Sequence, residues 1–291
     1  MPISPLLFKE MERLKAKKNL FCLLITVLLS LSISASQLEQ MGGAGLATVT
    51  GLDAVLYNPA AVTGLTERYV GGSYSYTGST LIAIGYLEPG FSERYNPQIT
   101  NYRLAGGLTW VRDAADLYKN KYYYTVGFCT KPVYGGINLI YKHDKNRADA
   151  FSLDVAIGTR LFDKLTTTLA VENLINWVFS RNDALGNVPH IRLGLTYEAF
   201  QGFMASLDAS TRLQNKANLS LGAAYSLKSF TFRGGIGLLF DFEEEKVKTR
   251  PGLGISYKKT TDSKGAFDLD LALSYIDGQI GHSASFGYTF N

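Results

Sequence analysis

Two cysteines, three histidines and eight prolines among 291 residues set the first limits. Cys22 lies in an apolar N-terminal run, which leaves Cys129 alone in the rest of the chain, so a fold stapled by intramolecular disulfides is excluded. His143, His190 and His282 fall in different segments without a cysteine or carboxylate at metal-ligand spacing, and no metal site is expected. The formal charge is +4, but residues 1–36 hold five Lys and Arg against two Glu. Beyond them no basic patch remains of the kind nucleic-acid binding requires. Walker and Gly-x-Ser-x-Gly sequences are missing, and "GGAGLA" (42–47) lacks the third glycine and the preceding strand of a dinucleotide loop. The reading is a non-enzyme without cofactor.

The N-terminus has a basic stretch, an apolar run from Leu20 to Leu31 and small residues at Ser34, Ala35 and Ser36. That is the layout of a secretory signal peptide over 1–36, with Met11 as an alternative start. A membrane-spanning helix needs about 18 or more apolar residues, and this run turns polar too soon. Cys22, preceded by Leu20 and Phe21, fits a lipoprotein cleavage site poorly.

What the chain has in quantity is Gly (29), Tyr (18) and Phe (16), interleaved rather than pooled in linkers, which favours many strands with tight turns. From Tyr69 onward the dominant signal is a period of two. In "FSLDVAIGTRL", Phe151, Leu153, Val155 and Ile157 oppose Ser152, Asp154, Gly158 and Arg160, and "AFDLDLALSY" and "HSASFGYTFN" repeat the pattern. Segments of about 9–11 residues, apolar on one face and small or charged on the other, are what a membrane-spanning β-strand requires. Such segments number fourteen between Tyr69 and Asn291. The even count suits a closed outer-membrane barrel. Connections alternate as well: Pro132, 162–164, 200–201 and 228–229 are short, while 113–121, 143–149, 175–189 and 241–249 are longer and polar. Short turns at the periplasmic end and longer loops outside are the barrel arrangement. Thr77-Gly78 and 88–101 depart from it.

A barrel of fourteen strands lies between the eight that side chains can fill and the sixteen or so that leave a water channel. Something must close it. Residues 37–66, between the leader and the barrel of 67–291, are placed to be an N-terminal hatch in the lumen. Gly42, Gly43, Ala44, Gly45 and Ala47 allow close backbone approach to the wall. Asn58-Pro59 favours a fixed turn, with the Asn side chain bonding nearby backbone. The strand phases send Arg103, Asp154, Arg160, Glu172, Arg192, Glu198, Asp208, Arg212, Arg233, Asp268 and Asp270 into the lumen. Such charges persist in a closed interior only when satisfied, so pairing with one another and with hatch backbone is expected, and a polar path is the alternative. Trp110, Tyr141, Tyr197, Tyr225, Tyr257, Tyr275 and Tyr288 point outward, as membrane-interface girdles do.

"MGGAGLATVTGLDAVLYNPAAVTGL" (41–65) resembles the N-terminal signature of the FadL-like outer-membrane superfamily, with Gly42, Gly45, Ala47, Asn58, Pro59 and Ala60 at the matching positions. "VENLIN" (171–176) and "VPHIRLGLTYE" (188–198) resemble its PorV/PorQ branch, although Ile175 stands where a glycine is common and puts the local turn in question. The resemblance implies a 14-stranded antiparallel transmembrane β-barrel with an N-terminal hatch, resident in the lipid bilayer of the outer membrane. Two functions stay open. One is passive passage of a small hydrophobic or amphipathic ligand past the hatch. The other is a type IX secretion-like or scaffold role with an exported protein as partner. The short loops argue against a long apolar capture groove.

Overall fold

The structure is a computed structural model describing residues 37–41, 43–76, 79–90, 102–115, 118–146, 149–178, 188–212, 216–261, 265–276 and 278–290. Residues 1–36, expected from the sequence to be a signal peptide, and Gly42 lie outside these residues. Fourteen antiparallel strands form one closed barrel. They are β1 (Arg68–Tyr76), β2 (Thr80–Pro89), β3 (Tyr102–Asp113), β4 (Asn120–Thr130), β5 (Val133–His143), β6 (Ala150–Leu161) and β7 (Leu165–Val178), then β8 (His190–Phe200), β9 (Phe203–Arg212), β10 (Lys216–Leu227), β11 (Phe230–Asp241), β12 (Lys246–Thr261), β13 (Gly265–Ile276) and β14 (Gln279–Phe290). Each strand pairs with its sequence neighbours, and β1 closes on β14 with Arg68 opposite Phe290 and Tyr76 opposite His282.

The two-residue period fixes which side chains face inward. On β6, Ala150, Ser152, Asp154 and Ala156 are buried while Phe151 and Ile157 are exposed. The outer face carries Leu108, Leu253 and Ile280 at 64%, 66% and 68% exposure, strands apart round the wall. A soluble monomer rarely shows a contiguous apolar patch beyond a few hundred Å², whereas a hydrocarbon surrounding favours such a belt.

Two expectations need correction. The connection expected over 241–249 spans only 242–245, because the β11–β12 ladder continues to Asp241 opposite Lys246, with Val247 opposite Phe240. Glu245, in the left-handed region at φ 50°, helps reverse the chain there. The local turn questioned at Ile175 is strand: β7 runs to Val178, with Ile175 opposite Leu153 and Trp177 opposite Phe151. A register shift between Leu153 and Val155 absorbs the extra residues. Asn173 takes φ 54° at this bulge, and its N–H donates to Asp154 Oδ1 at 2.8 Å.

Ahead of β1 the chain forms short helical pieces, Gln37–Gln40, Leu46–Thr48, Gly51–Tyr57 and Pro59–Gly64. Thr50, extended, precedes the helix Gly51–Tyr57, and Asp53 lies in its first turn, where a carboxylate favours the positive end of the helix dipole. Pro59 ends that helix, since it lacks the N–H and restrains Asn58, and then occupies the first position of the next turn. Leu46, Val49, Leu52, Val55, Ala60 and Val62 form one buried cluster with wall residues Ala83, Leu87, Val111 and Ile140.

Candidate functional site

The pre-barrel segment winds round the inner wall, and polar groups fasten it at three places. At β8–β9, Asp208 Oδ2 accepts the Leu46 N–H at 2.7 Å, and Gly194 lies so close that an added Cβ would stand 2.8 Å from Leu46 Cβ. At β4–β6, Asn138 Nδ2 donates to the Val55 carbonyl at 2.7 Å, and Asn138 Oδ1 accepts from Thr125 Oγ1 at 2.7 Å. The chain passes Gly136 so closely that any Cβ there would collide with the backbone of Pro59. At β11–β13, Arg233 donates to Gln40 Oε1 at 2.9 Å and to Ser256, and it lies 3.5 Å from Asp270 Oδ1. Ser256 and Ser285 donate to Asp270 in turn, Ser285 at 3.0 Å.

Asn58 is fully buried, but its side chain does not close a local turn as the sequence suggested. Its Nδ2 donates to the Leu46 carbonyl at 2.9 Å, twelve residues back, tying two legs of the segment together. Pro59 and Ala60 pack toward β5, and Gly45, at φ 102°, and Ala47 flank Leu46 beside β8. Within the segment, Gln37 Nε2 donates to Thr50 Oγ1 at 2.8 Å, and the Gln37 N–H meets Asp53.

The charged positions named from the strand phases gather into separate groups. Glu172 Oε1 lies 2.6 Å from Arg192 Nε and Glu172 Oε2 lies 3.1 Å from His190 Nδ1, while the Arg192 guanidinium sits 5.1 Å from the centre of the Tyr57 ring. Arg212 stands opposite His190 and Lys216 at the end of β9. Asp154 joins the bulge through Asn173, and Lys142 Nζ donates to Asn173 Oδ1 at 2.9 Å. Asp268 faces Lys258 across β12–β13. Arg160 and Glu198 pair at 3.2 Å near the short turns, half exposed, and Arg103 lies on β3 next to Thr63 and Leu65. The structure therefore brings Glu172, Arg192, Asp208 and Arg212 to one quarter of the lumen, while the others lie apart.

That quarter contains a cavity of about 390 Å³. Gly43 and Leu46 of the pre-barrel segment lie along it, and β8–β12 form its wall. Lys216, Lys248 and Arg250 also line it, and none of the three stood out in the sequence. Lys248 and Arg250 fall in "DFEEEKVKTR", a charged run that reads as a solvated tip until the ladder is seen to continue through it. The cavity reaches the end of the barrel where Arg212 finishes β9 and Lys216, held by Asp241 Oδ2 at 3.0 Å, begins β10.

Outside the lumen, Asp149 accepts from Tyr141 Oη at 2.7 Å and lies 2.8 Å from His143 Nδ1. These two bonds, that of His143 first, hold its carboxyl below the ordinary carboxylate range.

No family model matches the chain, nor does any curated protein sequence. Solved structures do match in fold. A monoaromatic hydrocarbon channel, CymD, superposes with a TM-score of 0.63 at 13% identity, covering 87% of this chain and 96% of that one. The toluene transporter TodX of Pseudomonas putida gives 0.59 at 12%, over 87% of this chain and 97% of that one. A FadL homologue from Pseudomonas aeruginosa gives 0.59 at 10%, over 89% and 98%. At these identities the likeness is one of fold: the chain has the architecture of FadL-type channels.

Proposed function

We propose that this chain is a channel of the outer membrane, reached by way of the signal peptide at 1–36, through which small hydrophobic or amphipathic molecules pass passively round a hatch formed by residues 37–66. The observation that carries the reading is the uneven filling of the lumen. The segment packs tightly on β4–β6 and on the glycines of β8 and β10–β12, yet beside Gly43 and Leu46 it leaves a cavity of about 390 Å³ walled by β8–β12. A shift of the segment beside this cavity, away from Gly194 and Gly222, would extend it into a path through the barrel. The apolar belt supports the membrane setting, and the hydrocarbon channels that share the fold support the substrate class. The likeness to PorV/PorQ, with the exported partner it implies, rests on residues 171–176 and 188–198 alone.

The test is solute uptake by liposomes containing the purified full chain, with toluene as probe. The wild type conducts above the protein-free control. Asn58→Ala combined with Pro59→Gly removes the Asn58–Leu46 tie and the fixed turn, and changes the rate at least about threefold, on the order of 0.6 kcal/mol in the barrier. The barrel itself still runs as a heat-modifiable species on gels. Toluene flux no greater than in empty liposomes would overturn the channel.

A further inference from the structure

The cavity on β8–β12 has a chemistry that passage of neutral hydrocarbons does not require. Five cationic side chains line it, Arg192, Arg212, Lys216, Lys248 and Arg250, against one carboxylate, Asp208. Asp208 commits Oδ2 to the Leu46 N–H. Glu172 and Asp241 hold Arg192 and Lys216 in place, while Glu243, Glu244 and Glu245 lie exposed on the β11–β12 connection. Cations gathered round one concave cleft focus a positive potential there, with Arg192 set within it and Arg212 and Lys216 exposed at its mouth. Between them the half-buried Tyr57 and Leu239 offer a short apolar footing. The volume lies at the low end of the roughly 300–1,000 Å³ usual for small-molecule sites.

We propose that this cavity binds a compact amphipathic carboxylate of about benzoate's size, with its acid group taken by Arg212 and Lys216 at the mouth and its apolar body laid on Tyr57 and Leu239. Guanidinium and carboxylate form paired, charge-assisted hydrogen bonds that a neutral molecule cannot return. Because Gly43 and Leu46 line the cavity, the bound molecule touches the plug itself. The inference rests on the channel reading only for what becomes of the molecule afterwards.

Calorimetric titration of the folded full chain in detergent tests it, with sodium benzoate, benzyl alcohol, toluene and dodecanoate as probes. Benzoate is expected to bind about tenfold or more tightly than benzyl alcohol, a ratio worth about 1.4 kcal/mol. Arg212→Gln lowers benzoate affinity about tenfold and leaves benzyl alcohol unchanged, and Lys216→Gln acts in the same direction. Both positions lie at exposed strand ends, so neither variant challenges folding. Equal affinity for benzoate and benzyl alcohol, tighter binding of toluene or dodecanoate, or benzoate binding indifferent to both substitutions would each overturn the proposal. Benzoate binding without toluene flux in liposomes keeps the site and removes the channel, and flux without binding does the reverse.

Discussion

The two halves of the lumen are built on the same alternation and differ in how much space they leave beside the pre-barrel segment. On β4–β6 the inward positions nearest the plug are Gly127, Gly136 and Asn138, two without side chains and one that bonds plug backbone, so the segment lies directly on the wall. On β8–β10 the positions toward the loop end are Arg192, Ser210, Arg212 and Asn218; Arg192 reaches Tyr57 and Asn218 lies beside Gly43, and with Ser210 and Arg212 they surround the cavity. The strand ladder fixes where a side chain points, while its length decides how closely the segment lies on the wall there. The pre-barrel segment touches glycines on both walls, Gly136 on β5 and Gly194, Gly222, Gly235 and Gly254 on β8 and β10–β12, and the two walls differ in the open space left toward the loop end of the second.

The largest effect that would break this contrast comes from filling the sealed side. Gly136→Leu drives a side chain into the backbone at Pro59, which cannot give way as a flexible side chain would. Overpacking ordinarily costs about 1–3 kcal/mol, and against rigid backbone the figure here should reach at least about 3 kcal/mol. The expected result is an undocked segment on an intact barrel, read as new protease cleavage within 37–66 and raised conductance in planar bilayers. Unchanged protease resistance would mean that the tight contact does not hold the plug.

Removing a bond on the same side should cost less. Asn138→Ala strips the Val55 carbonyl and the Thr125 hydroxyl of their partner at a fully buried position, which costs about 1–3 kcal/mol. Thermal unfolding followed by circular dichroism should register the loss. Asn138→Asp, which keeps the acceptor for Thr125 but loses the donor to Val55, should not rescue it. On the hollow side, Ser210→Leu projects into the cavity, so stability should move by no more than about 0.5 kcal/mol while the space for a ligand shrinks. A Ser210→Leu variant as destabilised as Gly136→Leu would erase the distinction between the halves.

Much of this was legible in the sequence, and the reason is geometric. A period of two leaves no freedom about which residues share a face, so the strands and the inward phase of Asp154, Glu172, Arg192 and Asp208 follow from alternation alone. Asn138 and Lys142 share that phase with Gly136 on β5 and could have been named by the same rule. What alternation does not carry is the path of the pre-barrel segment. Asn58 meets Leu46 only because the segment doubles back, a fact of tertiary folding with no local signature. Lys248 and Arg250 were hidden for another reason. An acidic run followed by basic residues and Pro251 reads as a turn, although apolar Val247 continues the outward row opposite Phe240.

The smallest expected effect lies outside both halves, at the β5–β6 connection, and it bounds how far loop chemistry reaches the lumen. Asp149 takes bonds from His143 and Tyr141, and its carboxyl pKa is lowered in the folded protein. A carboxyl lowered on folding contributes stability at pH above its ordinary pKa of about 3.9, and that contribution disappears as pH falls through the lowered value. His143 and Asp149 are both about two-fifths exposed, so solvent screens the pair and the effect is slight. Asp149→Asn should therefore unfold at a marginally lower temperature than the wild type at pH 7, and the two should converge as the pH drops below the ordinary carboxylate range. Neither condition should alter protease resistance of residues 37–66, because the bond lies at the rim rather than against the plug. A change there would show that the loops govern the pre-barrel segment, and its contacts with the wall would then no longer account for its hold.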